Sequence, residues 1–174
     1  HEDLQNTITE VLQKACEAYG LTTGAIHAEC RIDKNRRVWI LEIASRTIGG
    51  DCGRILDNEN FSIEELAISL AVDKPIQVNM PKTARGVMML PVTEKGLLKR
   101  VEGLLDANKV DHIDKIDIII PEGHRLTPLP EGNQYLGYIF ASAETTEQVT
   151  EAIREAYGLL KFVTSPVFEI NQGD

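Results

Sequence analysis

The sequence predicts an α+β protein in which antiparallel strands pack with amphipathic helices. Some segments carry apolar residues at every second position, which is typical of strands, and others carry them every three or four positions, which is typical of helices. Glycines, prolines and two N-capping motifs separate these segments. Pro75 closes the second predicted helix, and residues 76–82 have the pattern of a crossing strand or a linker. We therefore expect two regions, 1–75 and 76–174.

The first region is predicted to contain a helix, a hairpin and a second helix. The first helix ends at Gly20, and its apolar stripe comprises Leu4, Ile8, Val11, Leu12, Ala15 and Tyr19. Alternating residues predict strands at 25–32 and 38–43, joined by a turn at 33–36. Ser62-Ile63-Glu64-Glu65 is a capping box that opens a helix running to about Val72.

The second region is predicted to alternate strands with two helices. Strands are expected at 86–91, 114–121, 135–142 and 163–170, and an amphipathic helix at 94–107. A second capping box, from Thr145 to Gln148, opens a helix whose apolar stripe comprises Val149, Ala152, Ile153, Ala156, Tyr157 and Leu160. The order β-α-β-β-α-β is that of a ferredoxin-like α+β module.

The hairpin of the first region is predicted to bring two carboxylates together. If its turn has an even number of residues, the buried face carries Ile26, Cys30, Trp39 and Leu41. In the same register Glu29 and Glu42 share the opposite face with His27. An odd turn would distribute each of these two sets over both faces of the hairpin. The register is normally fixed by the pattern of buried residues, which favours the even turn. We therefore expect Glu29 and Glu42 to converge.

A basic residue and a flexible backbone corner follow the second strand, namely Arg46 and the pair Gly49-Gly50. Mg²⁺ is usually held by one or two carboxylates plus substrate phosphates, and an arginine can neutralise charge on a transferring phosphoryl group. Glycine lets the backbone approach a ligand closely. These groups fit the phosphate end of a magnesium–nucleotide site. The alternative is that Glu29 and Glu42 are the solvated side of a half-buried sheet.

This stretch resembles the C-terminal part of the ATP-grasp superfamily. The pattern of that superfamily is a metal-binding Glu, a second one about a dozen residues later, and then E-x-N-x-R. Glu29 and Glu42 match the two metal ligands, and Arg46 matches the arginine that meets the phosphate and the acyl-phosphate intermediate. Ala44 stands at the Asn position, which leaves the number of metal ions open.

Two further features are similar to the L-amino acid ligase branch, whose members join a carboxylate to an amine. One is the E-I-A-x-R form followed by a Gly-Gly turn; the other is the sequence at 124–132 and 135–141, which resembles the C-terminal domain of that branch. The resemblance implies the C-terminal part of an ATP-grasp domain, an antiparallel sheet with helices, followed by the ferredoxin-like module.

The resemblance also implies a set of roles and cofactors. ATP and Mg²⁺, or Mn²⁺, would be the cofactors, with Glu29 and Glu42 binding the metal. Arg46 would be catalytic, and Gly49 and Gly50 would donate backbone N–H groups. The substrates would be a small-molecule carboxylate and an amine. The glycine-rich phosphate loop and the adenine-binding lysine do not precede these residues in the chain. We therefore expect a C-terminal fragment that is inactive without an N-terminal ATP-grasp portion or subunit.

The segment 121–133 is a second candidate for function. It is rich in glycine and proline, which is typical of a rigid connection between strands. In the functional interpretation the segment forms a wall of the substrate pocket, and Arg125 grips a substrate carboxylate with two hydrogen bonds.

Composition excludes some partners. The net charge is −9 over 174 residues, which argues against nonspecific nucleic-acid binding, since that relies on basic surface. No apolar run approaches the length of a membrane span. Three cysteines without a recognisable motif spacing are typical of free thiols in a reducing cytoplasm.

Apolar surface left by a missing portion would favour self-association, so a homodimer is left open. The alternative function is a stand-alone, non-catalytic module that senses a small molecule or binds a partner.

Overall fold

The computed structural model describes residues 2–74 and 77–167, and the chain divides into two compact units, 1–81 and 82–174. The predicted boundary lies between residues 75 and 76, and both of these residues are outside the described ranges. In the first unit the elements are α1 (Glu2–Tyr19), β1 (His27–Ile32), β2 (Val38–Ala44), a 3₁₀ turn (Cys52–Leu56) and α2 (Ile63–Ala71). In the second unit they are β3 (Ala84–Pro91), β4 (Gly96–Glu102), α3 (Leu104–Ala107), β5 (Ile113–Ile118), β6 (Arg125–Leu126), β7 (Tyr135–Ala143), α4 (Thr146–Leu159) and β8 (Lys161–Ser165).

Both helices of the first unit form where the sequence predicts them. Gly20 ends α1 in the left-handed conformation at φ 71°, and the Leu21 N–H donates to the Cys16 carbonyl at 2.9 Å, which closes the last turn. Helix α2 begins after Ser62, whose hydroxyl accepts a hydrogen bond from the Glu65 N–H at 3.1 Å. Pro75 lies outside the described residues.

The hairpin does not have the predicted even turn. Strands β1 and β2 are joined by residues 33–37, an odd number, and Ile32 pairs with Val38. A β-bulge then intervenes, because Cys30 pairs with Ile40 whereas Glu29 pairs with Glu42, which leaves Leu41 without a partner residue. The odd turn and the extra residue cancel. Glu29 and Glu42 therefore share one face, as expected from an even turn, and they are direct cross-strand partners. The predicted turn at 33–36 without a bulge would instead have paired Glu29 with Ile40.

The predicted buried face of the hairpin is wrong in part. Beyond the bulge Trp39 pairs with Arg31 and not with Cys30, so it lies on the same face as Glu29. Trp39 is 54% exposed and Leu41 is 60% exposed. The alternation of β2 alone could not reveal this, because one bulged residue shifts every side chain beyond it to the other face.

Trp39 is held in place by the residues of the turn. The Asp33 carboxylate accepts hydrogen bonds from the Asn35 N–H at 2.8 Å, the Arg37 N–H at 2.9 Å and the Arg37 Nε at 2.7 Å. The Trp39 indole N–H donates to the same carboxylate at 3.4 Å. The Arg37 guanidinium lies 5.6 Å from the centre of the Trp39 ring, within cation–π distance. Asp33 thus links the turn to the ring.

We expect the fluorescence of Trp39, the one tryptophan of the chain, to report on the protonation of Asp33. The backbone N–H of Arg37 is the main cause that lowers the pKa of Asp33, with further hydrogen bonds from the Arg37 side chain and Trp39. This lowered pKa stabilises the turn above the ordinary Asp pKa of about 3.9, and the stabilisation is lost as the pH falls through the lower folded value. An acid titration should show a transition that Asp33→Ala removes and Asp51→Ala retains. A transition that persists in Asp33→Ala would contradict this assignment.

In the second unit, strands β3, β7 and β5 form an antiparallel sheet in the order β3-β7-β5, close to the predicted strands. The predicted final strand at 163–170 is seen as β8, and residues 168–170 lie outside the described part of the chain. Strand β8 does not join that sheet. It pairs with β4, which also pairs with β6, to give a second sheet in the order β6-β4-β8.

The helix predicted at 94–107 is wrong. These residues form β4 and the short α3, which Gly103 separates at φ 81°. Leu98 and Val101 both pack in the core although they are three positions apart, because a bulge at Lys99 adds one residue to β4. The extra residue turns the spacing of a strand into one that is typical of a helix. Strand β6 was also missed, since its two residues lie within the loop pattern of 121–133.

Helix α4 confirms its predicted capping box. The Thr145 hydroxyl accepts a hydrogen bond from the Gln148 N–H at 3.3 Å, and the Gln148 side-chain carbonyl accepts one from the Thr145 N–H at 3.1 Å. The core of the unit lies between the two sheets and this helix, and its buried members are Leu90, Val92, Leu98, Ala107, Ile116, Ile120, Leu126, Leu136, Ile139 and Ala156. The α+β class with antiparallel strands is confirmed. None of the helices in the described residues is both long enough and apolar enough to cross a membrane.

Candidate functional site

The centre of the candidate site is the carboxylate pair of the hairpin. Glu29 and Glu42 are cross-strand partners, and both side chains are exposed. Directly opposite residues of an antiparallel pair point to the same face, with Cβ atoms about 4.5–5.5 Å apart. Two carboxylates at this separation can bind one cation, and without a cation they repel each other. The pairing is the observation on which the metal hypothesis depends.

The ligand set at this pair suits a metal that completes its coordination with phosphate or water. Ala44, two residues beyond Glu42, pairs with His27 and contributes only a methyl group. Among residues 2–74 and 77–167 no group of three or more His, Cys, Asp or Glu side chains could hold a metal ion. Mg²⁺ is usually bound through one or two carboxylates plus substrate phosphates and waters. A pair of glutamates therefore fits Mg²⁺ and not a metal that needs a complete protein cage.

Arg46 lies two residues beyond the end of β2 and is exposed. Its Nη1 donates a hydrogen bond to the Thr47 carbonyl at 3.0 Å. A Cβ atom at Gly49 would lie 4.0 Å from the same Nη1, so the guanidinium rests beside the glycine pair. No Asp or Glu of the described chain forms an ion pair with Arg46. This arrangement leaves most of the guanidinium donors available to an anion.

The glycine corner has a left-handed backbone. Gly50 has φ 67° and Asp51 has φ 53°. The Gly49 carbonyl accepts a hydrogen bond from the Cys52 N–H at 3.4 Å. Because the N–H and C=O of a trans peptide point in opposite directions, the Gly50 N–H points away from Cys52. Consecutive N–H groups in such a corner can form a concave anion site.

Arg46 also lines an open cavity of about 560 Å³ in the first unit. Its walls come from the start of β1, the end of β2 and one face of α2, namely Thr23, Gly24, Ala25, Ser45, Arg46, Thr47, Ala67, Leu70 and Ala71. The contribution of α2 was not predicted, because the small residues of that helix have the pattern of an ordinary packed face. Trp39 was also missed as a neighbour of the carboxylates, since only the bulge places it on their face.

The second candidate segment, 121–133, is fixed by backbone hydrogen bonds. The Gly123 N–H donates to the Leu98 carbonyl at 2.7 Å, and the Gly132 N–H donates to the Pro128 carbonyl at 2.8 Å. The His124 ring nitrogen Nε2 lies 3.1 Å from the Gln134 side-chain oxygen. Arg125 is exposed at the start of β6. These contacts support the interpretation of 121–133 as a rigid connection, and a substrate role for Arg125 stays a prediction.

Two family models match separate parts of the chain. Residues 1–55 match the ATP-grasp domain, and residues 88–165 match the L-amino acid ligase C-terminal domain 2. Glu29, Glu42, Arg46, Gly49 and Gly50 all fall within the first match. The resemblance to the C-terminal portion of the ATP-grasp superfamily, and to its L-amino acid ligase branch, is confirmed. The comparison with curated protein sequences gave no match.

Solved structures share the fold. An L-amino acid ligase from Bacillus licheniformis is 21% identical with a TM-score of 0.77, and the match covers 95% of this chain and 42% of that one. A phosphoribosylglycinamide synthetase from Anaerococcus prevotii is 18% identical with a TM-score of 0.79, covering 95% and 43%. An N5-carboxyaminoimidazole ribonucleotide synthetase from Thermotoga maritima is 17% identical with a TM-score of 0.75, covering 95% and 44%. The chain therefore spans less than half of the length of these structures.

Proposed function

From an ATP-grasp segment at residues 1–55 and an L-amino acid ligase C-terminal domain 2 at 88–165, we propose that the chain is the C-terminal part of an ATP-dependent carboxylate–amine ligase. The observation that carries the proposal is the direct pairing of Glu29 with Glu42, which precedes by four residues an arginine, Arg46, that lies next to Gly49. Two like charges directly opposite each other destabilise a hairpin, so a solvated sheet face gains nothing from this pair, whereas a bound cation would stabilise it.

The proposed reaction has two steps. An oxygen of the substrate carboxylate attacks the γ-phosphorus of ATP, and ADP leaves with the electrons of the broken bond. The amine nitrogen then attacks the carbonyl carbon of the acyl phosphate, inorganic phosphate leaves, and the nitrogen loses a proton as the amide forms. The substrates are a small-molecule carboxylate and an amine.

Each site residue has a role in binding or in stabilising charge. Glu29 and Glu42 would hold Mg²⁺, or Mn²⁺, which supplies positive charge next to the phosphates. Arg46 would donate hydrogen bonds to the oxygens of the transferring phosphoryl group, where negative charge is spread over several atoms. The backbone N–H groups at Gly49 and Gly50 would bind the same oxygens, since no side chain there blocks a close approach.

The exposed apolar surface of the first unit supports a further portion of the protein. Phe61 is the one large hydrophobic side chain of the described residues in 1–81 that is fully buried. The exposed ones are Tyr19, Ile26, Ile32, Trp39, Leu41, Ile48, Ile68, Val72, Val78 and Met80. Large exposed apolar patches mark sites of contact with protein or ligand. We propose that an N-terminal ATP-grasp portion or subunit covers part of this surface, with a homodimer as the alternative occupant.

We expect the 174-residue chain alone to release no detectable ADP from ATP with any amino acid. The residues that would hold the adenine and cover the phosphates are supplied by the remaining portion of the domain in this proposal. A coupled assay for ADP, with the Glu42→Gln chain as a matched control, measures this directly. ADP release that depends on Glu42 would show that the chain is catalytically complete.

The second candidate is a binding module that senses a small molecule. It is favoured by a cavity in the second unit, which is separate in sequence from every residue of the phosphate site. ATP binding by the 174-residue chain joined to its N-terminal portion, measured by calorimetry, distinguishes the two. A joined protein that binds no nucleotide would favour the module over the ligase.

A further inference from the structure

Strand β5 is an edge strand, because among the described residues its one partner strand is β7. The Ile119 N–H, one residue past β5, donates a hydrogen bond to a carbonyl of β7 at 3.0 Å. Hydrogen-bonded and non-hydrogen-bonded pairs alternate along an antiparallel ladder, so Lys115 and Asp117 also direct their backbone groups toward β7. The backbone N–H and C=O groups of Ile116 and Ile118 therefore point away from β7, along the edge of the sheet.

Two opposite charges stand next to each other on this edge strand. Lys115 and Asp117 lie on the face of the sheet opposite to the buried Ile116. The Lys115 ammonium lies 2.6 Å from an Asp117 carboxylate oxygen, and the lysine side chain is 51% exposed. A lone lysine normally protects an edge strand from pairing, because a second copy would bring its own lysine close to it. The aspartate two positions later removes this protection in one register.

That register is the antiparallel pairing of β5 with β5 of a second copy in which Ile116 lies opposite Ile116. Lys115 then lies opposite Asp117 of the second copy, and Asp117 lies opposite Lys115. A shift by two residues in either direction places Lys115 opposite Lys115 or Asp117 opposite Asp117, and directly opposed like charges are destabilising. A shift by one residue would bring the charged face of one copy beside the buried face of the other. Charge and burial thus favour the same register, in which the outward backbone groups of Ile116 also meet.

We propose that the edge of β5 is a dimerisation surface, on which β5 of a second copy of this chain pairs antiparallel about Ile116. The pairing joins the two copies of the β3-β7-β5 sheet into one continuous sheet. Two cross-strand ion pairs of Lys115 with Asp117, together with backbone hydrogen bonds of Ile116 and Ile118, hold the copies together. The contact is two-fold symmetric and self-complementary, so association stops at the dimer. It does not depend on the ligase reaction or on the exposed apolar surface of the first unit.

Analytical ultracentrifugation of the 174-residue chain tests the charges of this surface. The parent chain should dimerise, and more weakly as the salt concentration rises. Lys115→Glu turns both attractive cross-strand pairs into repulsive ones, so the dimer dissociation constant should rise by roughly 10- to 100-fold. Asp117→Lys should have the same effect. An equimolar mixture of the two variants should recover dimerisation, because in the mixed dimer every charge lies opposite its counterpart. Both substitutions in one chain should recover it as well.

Amide hydrogen exchange tests the position of the surface. As the concentration of the parent chain rises, the Ile116 and Ile118 amides should exchange more slowly. The Lys115 and Asp117 amides are directed toward β7 at every concentration and should not change. As a matched control, Lys109→Glu makes the same change of charge at an exposed lysine outside β5 and should dimerise like the parent chain. Circular dichroism checks that each variant is folded, and exchange in the parent chain decides the question if the β5 variants are not.

A parent chain that stays monomeric at millimolar concentration would overturn the proposal. A dimer whose dissociation constant is unchanged in folded Lys115→Glu would also overturn it. Dimerisation without added protection of the Ile116 amide would place the contact elsewhere, for example on the exposed apolar side chains of the first unit, and would equally end the assignment to β5.

Discussion

Replacing Glu42 by glutamine in the intact protein is expected to lower the rate of amide formation by at least roughly 10²-fold, the size of effect seen when one electrostatic stabiliser is removed from a transition state. Glutamine has nearly the same shape as glutamate, so the hairpin pairing with Glu29 should persist. What is lost is one of two negative charges that face each other. In the proposed site the affinity for the metal ion would fall, and the phosphates would lose the positive charge that the ion supplies. Steady-state rates over a series of Mg²⁺ concentrations measure both effects.

Two comparison variants make this result specific. Glu29→Gln should cost less than Glu42→Gln if Glu42 bridges two ions, as its counterpart does in the superfamily that it resembles. Glu64→Gln changes an exposed glutamate in the first turn of α2 and should leave the rate unchanged. Removing one carboxylate also relieves the repulsion in the pair, so the melting temperature without metal should not fall. An active Glu42→Gln protein with normal Mg²⁺ dependence would remove the metal hypothesis.

Replacing Arg46 by alanine is expected to lower kcat by about 10²–10³-fold with little change in melting temperature. The guanidinium has no carboxylate partner among the described residues, and it donates a hydrogen bond to the adjacent Thr47 carbonyl. Its contribution to stability is therefore small. In the proposed reaction Arg46 stabilises the charge that accumulates on the phosphoryl group, so kcat should fall more than KM rises. Arg46→Lys keeps the charge but loses the planar fork and should recover only part of the rate.

The control for Arg46 comes from the same corner. Arg54 lies in the 3₁₀ turn that follows the glycines, and it forms an exposed ion pair at 3.2 Å with Asp51, the residue that precedes this turn. Arg54→Ala should leave kcat near that of the parent protein. If Arg46 were a purely structural residue, Arg46→Ala would lower the melting temperature and leave kcat unchanged. A large fall in the melting temperature of Arg46→Ala, with kcat unchanged, would end its catalytic assignment.

Local sequence signals predicted the elements that are set by local chemistry. The glycine at position 20 ends α1 because a left-handed residue is needed there, and Ser62 and Thr145 begin helices because their hydroxyls satisfy free N–H groups. Strands β3, β5 and β7 are close to their predicted positions. Each of these features depends on a few neighbouring residues, so the sequence contains the required information.

Bulges account for the two clearest errors. Lys99 adds a residue to β4, so Leu98 and Val101 face the core at a spacing typical of a helix. Leu41 adds a residue to β2, so Trp39 lies on the face opposite to the predicted one. A bulge is stabilised by the partner strand and not by the bulged residue. No pattern within one strand can therefore reveal it.

The sequence by itself determined the α+β class, the helix ends and the chemical types at the candidate site: two glutamates, an arginine and a glycine pair. The tertiary structure decided which of these residues meet. Glu29 faces Glu42 only because an odd turn at 33–37 and the extra residue Leu41 cancel. The physical reason is that side chains alternate between the two faces of a strand. Each extra residue in the turn or in a bulge therefore moves all side chains beyond it to the other face.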